Sequence, residues 1–178
     1  MKGLIIYKGR YGATMEYSIW LGATLNFPVV KADFVKPEQL TQADYVLIGT
    51  SVYIGRLQIA GWLKNLAPLL EGKKLIFLVV GGSAPDHPEK ILGYYEHDVP
   101  ASLRKNAVCF PLPGRLHYRQ LSLKDKLLLR AGAWLSARKG ETISLADYNM
   151  VSRENLAPVI EAVRLLGTCA FTSQKSFT

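Results

Sequence analysis

The sequence predicts an α/β protein built on a doubly wound, five-stranded parallel sheet with helices on both faces. Three observations predict it. The main apolar runs are hydrophobic at nearly every position instead of at alternate ones, as strands covered on both faces require. Those runs alternate along the chain with stretches of helical spacing, and right-handed crossovers between parallel strands then place helices on either side of one sheet. Most of the runs leave through a turn rich in Gly, Ser or Thr, where a backbone bends sharply or approaches another group closely.

Residues 2–7 (KGLIIY) read as the first strand, ended by a glycine turn. Residues 11–25 follow with helical spacing and set Met15, Ile19 and Ala23 along one face. FPVVKAD (27–33) supplies a short second strand. ADYVLIGTSV (43–52) is the clearest strand, and it meets a Gly-Thr-Ser turn. From 56 to 70 the spacing of Ile59, Leu63, Leu66 and Leu70 is helical, with Gly72 as the stop. KKLIFLVVGGSAP (73–85) repeats the theme of basic start, apolar run and glycine exit. NAVCFPLPG (106–114) is the fifth strand in spite of its prolines, and residues 151–166 form a closing amphipathic helix. One domain over 1–170 accounts for the chain, and 171–178 read as a polar, frayed tail. Residues 115–150 stand outside the alternation, as an insertion between the last strand and the last helix.

At 178 residues, 49% hydrophobic and 20% charged, the chain has the size and balance of one soluble globular domain. Its longest apolar stretch, Leu75 to Val80, falls far short of the roughly 20 residues a membrane span needs. Lys2 and Gly3 lead straight into a strand, unlike a signal peptide. Cys109 and Cys169 are too few and too far apart for a disulfide framework or a metal site. A reduced, cytoplasmic setting is therefore expected. The net charge is +8 and unevenly spread: between Arg115 and Lys139 there are seven bases and one acid, Asp125. Such a segment is either a well-solvated helix or a field that draws anionic partners.

In an open α/β sheet, ligands bind outside the carboxyl ends of the strands. Three segments meet at that edge. The first is Lys8, Gly9, Arg10, Tyr11, Gly12, Ala13 and Thr14; the second is Thr50, Ser51, Val52, Tyr53, Ile54 and Gly55. The third runs from Gly81 to Asp86, with Gly82 and Ser83 as backbone and hydroxyl donors. The first runs into a helix N-terminus, where unpaired N–H groups favour an anion, Thr14 adds a hydroxyl, and Lys8 or Arg10 adds charge. It has neither the spacing of a Walker loop nor that of G-x-G-x-x-G, so a plain strand-to-helix turn is the competing reading. Tyr53 is either a platform for a flat heterocycle or a tyrosine packing on its own structure. His87 and His97 read as surface-loop residues.

IIYKGRYGAT (5–14) resembles the FMN phosphate signature of flavodoxin-like proteins. VLIGTSVYIGRL and PGRLHYRQLSLKDKLLLRAGAWL resemble the branch containing the menaquinone-dependent protoporphyrinogen dehydrogenases and related flavodoxin-domain proteins. The resemblance spans most of the chain and implies strand order 2-1-3-4-5. It also implies an FMN-dependent oxidoreductase with the phosphate on 8–14, the ring beside 50–55 and the 81–86 loop at its edge. The resemblance departs at Gly9, where members of that family usually carry Ser or Thr. In the insertion, Arg115, His117, Arg119, Lys126 and Arg130 are candidates for contact with substrate or surface. Leu123, Leu127, Leu128, Ala131, Trp134 and Leu135 form an apolar stripe that suits a quinone-bearing anionic membrane surface at the inner face of the membrane. The same bases suit porphyrinogen propionates, and the stripe equally suits packing on the sheet or on a second copy of the chain as a homodimer. The basic charge is unlike that of ordinary acidic flavodoxins. An electron-transfer flavoprotein or a binding module without FMN are the alternative readings. No nucleic-acid reading motif is present.

Overall fold

The computed structural model describes residues 2–138 and 146–173, with the side chains of 135–137 and 167–173 left aside. Five parallel strands form its centre: β1 (Gly3–Lys8), β2 (Val29–Lys31), β3 (Tyr45–Tyr53), β5 (Lys74–Gly81) and β6 (Ala107–Pro113). Their spatial order is β2-β1-β3-β5-β6. Apart from the short β4 (Arg56–Leu57), which pairs back on β3, this is the expected winding 2-1-3-4-5. The register aligns Ile6 with Ile48, Ile48 with Phe77 and Phe77 with Cys109.

Because side chains alternate across a strand, each apolar run serves two cores. Leu4, Ile6, Val46, Ile48, Leu75, Phe77 and Val79 face one side. There they meet Leu40 of α2 (Pro37–Gln42), Leu63 and Leu70 of α3 (Ala60–Leu70), and Ile91 and Tyr95 of α4 (Pro88–Asp98). Ile5, Leu47, Ile76, Leu78 and Val80 face the other. They meet Tyr17 and Leu21 of α1 (Ala13–Leu25) and Val159 and Val163 of α7 (Ala157–Ser173). The result is a three-layer α/β/α sandwich. A short α5 (Ala101–Arg104) leads into β6.

Several expectations change. Helix α1 does not bury Met15, Ile19 and Ala23: Met15 and Ile19 are 43% and 51% exposed, and Ala23 is exposed as well. It buries Ala13, Thr14, Tyr17, Ser18, Leu21 and Gly22, because small residues let the helix lie close on the sheet. The Tyr17 hydroxyl donates to the Pro113 carbonyl at 2.9 Å and accepts from Asn155. The strand expected to end at a Gly-Thr-Ser turn continues to Tyr53 and folds back through Ile54 and Gly55 into β4. Both turn residues have positive φ, 50° and 67°, as a two-residue hairpin of this hand demands. Helices α2, α4 and α5 carried no assignment in the sequence reading. His97 lies in the last turn of α4 and not on a loop, while His87 caps that helix. The closing helix extends to Ser173, so residues 171–173 continue it, and 174–178 lie outside the described residues.

The insertion is anchored at the carboxyl edge of the sheet. Strand β7 (Arg115–Leu116) pairs antiparallel with β8 (Tyr148–Asn149). The Gly114 N–H donates to the Gly81 carbonyl at 3.1 Å, and Met150 N–H donates to Gly114. Between the two strands runs α6 (Leu123–Ala137), and residues 139–145 of the insertion lie outside the described residues.

Candidate functional site: a cavity under the insertion helix

The three segments and the insertion line a half-open cavity of about 470 Å³ at the carboxyl edge. That volume is within the usual range of small-molecule and cofactor sites. Its floor comes from Tyr11, Ala13, Thr14, Ser51 to Gly55, Gly81 and Gly82. Its roof comes from Leu116, Leu121, Asp125, Leu128, Leu129 and Gly132, with Tyr148 at one side. Asp125, Leu128, Leu129 and Gly132 fall three or four apart and so share one face of α6.

At the floor, Gly12 is the N-cap of α1 with φ 86° and no side-chain cap, which leaves the first N–H groups of the helix for another acceptor. Thr14 is buried beside it. A Cβ on Gly9 would stand 2.6 Å from Thr14 Oγ1 and 2.7 Å from its Cβ. Gly9 is therefore where the Thr14 side chain packs against bare backbone, and a serine or threonine would occupy the same space. The Arg115 guanidinium lies beside the α1 N-terminus, with Nη2 3.9 Å from where a Gly12 Cβ would be. Its Nη2 is paired with Glu16, while its buried Nε has no hydrogen-bond partner among the described residues.

The hairpin wall is held from behind. The Asp98 carboxylate, with no exposed side-chain surface, accepts from Arg56 Nε at 2.6 Å, from Leu57 N–H at 2.6 Å and from the His97 ring at 2.8 Å. Burial opposes its ionisation, but these donors outweigh burial and keep the carboxyl below its ordinary value. Gln58 donates to Ser51 Oγ at 2.8 Å, and the Ile59 N–H donates to Thr50 Oγ1 at 3.3 Å.

The roof is fastened to the floor by Asp125, which is only 5% exposed. One carboxylate oxygen accepts from the Tyr53 hydroxyl at 2.6 Å, and the other accepts from the Tyr11 hydroxyl. Arg10 Nε stands 3.3 Å away, and its guanidinium lies 5.1 Å from the Tyr53 ring centroid. The phenol donors, Tyr11 foremost and then Tyr53, hold the Asp125 carboxyl below its usual value. The Tyr53 phenol is raised in turn, first by that hydrogen bond, and Tyr11 is raised first by burial and then by Asp125.

The placement of the candidate residues divides them. Tyr11, Ala13, Thr14, Ser51, Val52, Tyr53, Ile54, Gly55, Gly81, Gly82 and Arg115 line the cavity. Lys8, Gly9, Arg10, Gly12, Thr50, Ser83 and Asp86 do not. Lys8 ends β1 and pairs with Asp33 at 2.8 Å, and the Arg10 charge is committed to Asp125. Thr50 is fully buried behind the wall, and Asp86 is exposed. In the insertion, His117, Arg119, Lys126 and Arg130 lie off the cavity; Lys126 Nζ donates to the Arg119 carbonyl at 3.3 Å. The apolar stripe is not one face. Leu128 looks into the cavity, whereas Leu123, Leu127 and Trp134 are exposed, and the Leu135 side chain lies outside the described set.

Sequence reasoning missed Asp125, Leu128, Leu129, Gly132, Leu121, Gln58 and Tyr148. The available signal was the position of Asp125 as the one acid in a basic helix. A carboxylate placed against the prevailing charge points to a specific donor set.

Among solved structures, Smu.1420 from Streptococcus mutans matches with a TM-score of 0.50 at 11% identity, covering 78% of this chain and all of that one. Oxidised Flavodoxin 2 from Bacillus cereus matches at 0.48 and 17%, covering 78% of this chain and 99% of that chain. The flavodoxin of Streptococcus pneumoniae TIGR4 matches at 0.46 and 19%, over 78% and 99%. No curated protein sequence matches the chain. The flavodoxin-domain family profile matches residues 4–143, most of the sequence. With that match over a parallel sheet of the expected order, the chain belongs to the flavodoxin domain family.

Proposed function

We propose that the chain binds FMN in this cavity and acts as an FMN-dependent oxidoreductase on a small molecule. The observation that carries the reading is the roof. A shuttle that passes electrons between proteins needs an exposed flavin edge, whereas here α6 lies across the cavity and is fastened to both Tyr11 and Tyr53. The residues fit the cofactor's chemistry. The α1 N-terminus, the Thr14 hydroxyl and Arg115, with its unpartnered buried Nε, suit a phosphate. Val52, Tyr53, Ile54 and Gly82 suit a flat ring.

When bound, FMN supplies the electron-accepting and electron-donating chemistry. The chain's own residues orient and enclose. Leu116, Leu121, Leu128 and Leu129 keep water from the roof side, and Asp125 fixes the two tyrosines. An apolar roof suits a flat, apolar substrate, which is the chemistry of a quinone or of a porphyrinogen ring. The resemblance to the protoporphyrinogen dehydrogenase branch supports the same class.

The test is the visible absorption spectrum of the purified protein before and after adding FMN, followed by gel filtration. Flavin bands that travel with the protein, and then turnover of a porphyrinogen or a quinol in its presence, are the expected results. A protein that stays colourless with FMN in excess refutes cofactor binding, and bound flavin without turnover of either class refutes the substrate assignment.

A further inference from the structure

We infer that the Tyr148 hydroxyl is a hydrogen-bond donor to a conjugated ring carbonyl in the cavity, belonging either to the flavin or to a quinone. The inference deepens the FMN reading and rests on it. Three tyrosines line the cavity, and two are committed: Tyr11 and Tyr53 both donate to Asp125. The Tyr148 hydroxyl has no hydrogen-bond partner among the described residues. Backbone contacts bring it to its place. Tyr148 lies on β8, opposite Leu116 of β7. That ribbon is tied to the sheet at Gly114, whose N–H donates to the Gly81 carbonyl at 3.1 Å and whose carbonyl accepts from the Met150 N–H at 3.2 Å. The ring therefore comes down at the end of β5, over Gly82. A Cβ at Gly82 would run into the Tyr148 hydroxyl and stand 3.3 Å from its Cζ. The Gly82 backbone is not left-handed, so this glycine serves close approach and not conformation.

Packing alone asks only for the ring, and phenylalanine would supply that. A hydroxyl in a cavity walled largely by Val52, Val80, Leu116, Leu128 and Leu129 is costly unless a polar group takes it. Burial raises the Tyr148 phenol above its ordinary value, so it stays protonated at neutral pH and keeps its proton to donate. A neutral donor suits a ring carbonyl, whereas a phosphate is drawn to the α1 N-terminus and Arg115. The flavin ring and a quinone share that acceptor. In both, the carbonyl oxygen gains electron density on reduction, and a hydrogen bond donated to it strengthens. Tyr148 would thus hold the ring and favour its reduced form.

The experiment compares the full chain with Tyr148→Phe, which keeps the ring and removes the donor. FMN binding is read by flavin fluorescence, menadione binding by protein fluorescence, and the midpoint potential of bound FMN by dithionite titration against a reference dye. With the flavin carbonyl as acceptor, Tyr148→Phe should bind FMN about two- to tenfold more weakly. Its midpoint potential should also fall, because the reduced ring loses the stronger bond. With a quinone carbonyl as acceptor, FMN binding and potential should hold while menadione binding weakens by a similar factor. Unchanged affinity for both, with unchanged potential, overturns the inference and leaves FMN binding standing. A wild-type chain that binds no FMN refutes the cofactor reading instead, and menadione then decides the inference alone. The position of the hydroxyl is checked with no ligand present. Gly82→Ala should lower Tm, and should lower it less in the Tyr148→Phe background, where the hydroxyl it strikes is gone. An equal loss in both backgrounds overturns the placement and the inference with it.

Discussion

Replacing Gly9 by alanine tests whether the first loop is shaped by packing on Thr14. The backbone at Gly9 is not left-handed, so alanine is conformationally permitted. With free space around it, the substitution would stabilise the fold by about 0.4–1 kcal/mol through the unfolded chain. The structure gives no such space. The added Cβ meets Thr14 Oγ1 at 2.6 Å and Thr14 Cβ at 2.7 Å. Thr14 is 2% exposed on the first turn of α1, and its Cβ is fixed by the helix backbone, so it cannot swing aside like a flexible chain end. Overpacking of this kind costs about 1–3 kcal/mol. The balance is a net loss of up to about 2.6 kcal/mol, which in a domain of this size lowers Tm by up to about 10 °C. Thermal unfolding followed by circular dichroism reads the effect. Gly9→Ser should behave alike and should weaken FMN retention, because the hydroxyl enters by displacing Thr14. A raised Tm for Gly9→Ala, the mark of a site with free space, refutes the packing argument. A Gly9→Ser variant that holds FMN more tightly at unchanged Tm shows that the loop has room for a hydroxyl-bearing side chain.

Two further perturbations address the walls. Asp125→Ala should release α6, seen as faster trypsin cleavage among the bases of 115–138 and lost amide protection in the helix, with the sheet unaffected; unchanged protection would refute the fastening role. The Asp125 carboxyl is held below its ordinary value by Tyr11 and Tyr53, so its stabilising contribution is present above about pH 4 and is lost as pH falls through the lower native value. Hydrogen exchange of α6 at pH 6 and at pH 3 should show this. Asp98→Ala leaves Leu57 N–H and Arg56 without their acceptor and should cost about 1–3 kcal/mol in urea unfolding. A loss below about 0.5 kcal/mol, well short of the usual cost of an orphaned donor, would show that water replaces the carboxylate freely.

The sheet was legible because its signal is local. Strands buried on both faces must be continuous apolar runs, and Leu4–Ile6, Val46–Ile48 and Leu75–Val80 could be little else. Two kinds of feature were not legible. The face of α1 was misassigned because Met15 and Ile19 have the right chemistry for a core, while the true contact is made by Tyr17 and Leu21, with Ala13, Ser18 and Gly22 beside them small enough to let the helix lie close on the sheet. The hairpin at 54–55 was hidden because Ile54 is a β-branched residue at positive φ, which propensity argues against. At the site, the floor followed from the rule that ligands lie at the carboxyl edge, whereas the roof depended on long-range contacts. Nothing local in the sequence says that Asp125 meets a tyrosine 114 positions away.

On the FMN reading, the insertion also accounts for how a basic segment can sit over a site for an anion without competing for it. A helix with bases on both faces would put lysine and arginine side chains into the cavity, where they would capture the phosphate or one another's counterions. Helix α6 avoids this by sorting. Leu128, Leu129, Gly132 and one acid face inward, and Lys124, Arg130 and Arg138 face outward or flank. The inward acid would itself repel an anionic ligand if it were free. It is not, because its oxygens are taken by two phenols and Arg10 stands within ion-pair distance, so its charge is spent on holding the roof. The anion end of the cavity is left to the α1 N-terminus and Arg115, at the start of the insertion. Charge in this segment is thus separated by position along the chain: Arg115 at the floor, Asp125 at the fastening, and the remaining described bases off the cavity. On the FMN reading, that separation lets one element close over a negatively charged cofactor while presenting a positive, apolar surface to whatever supplies the substrate.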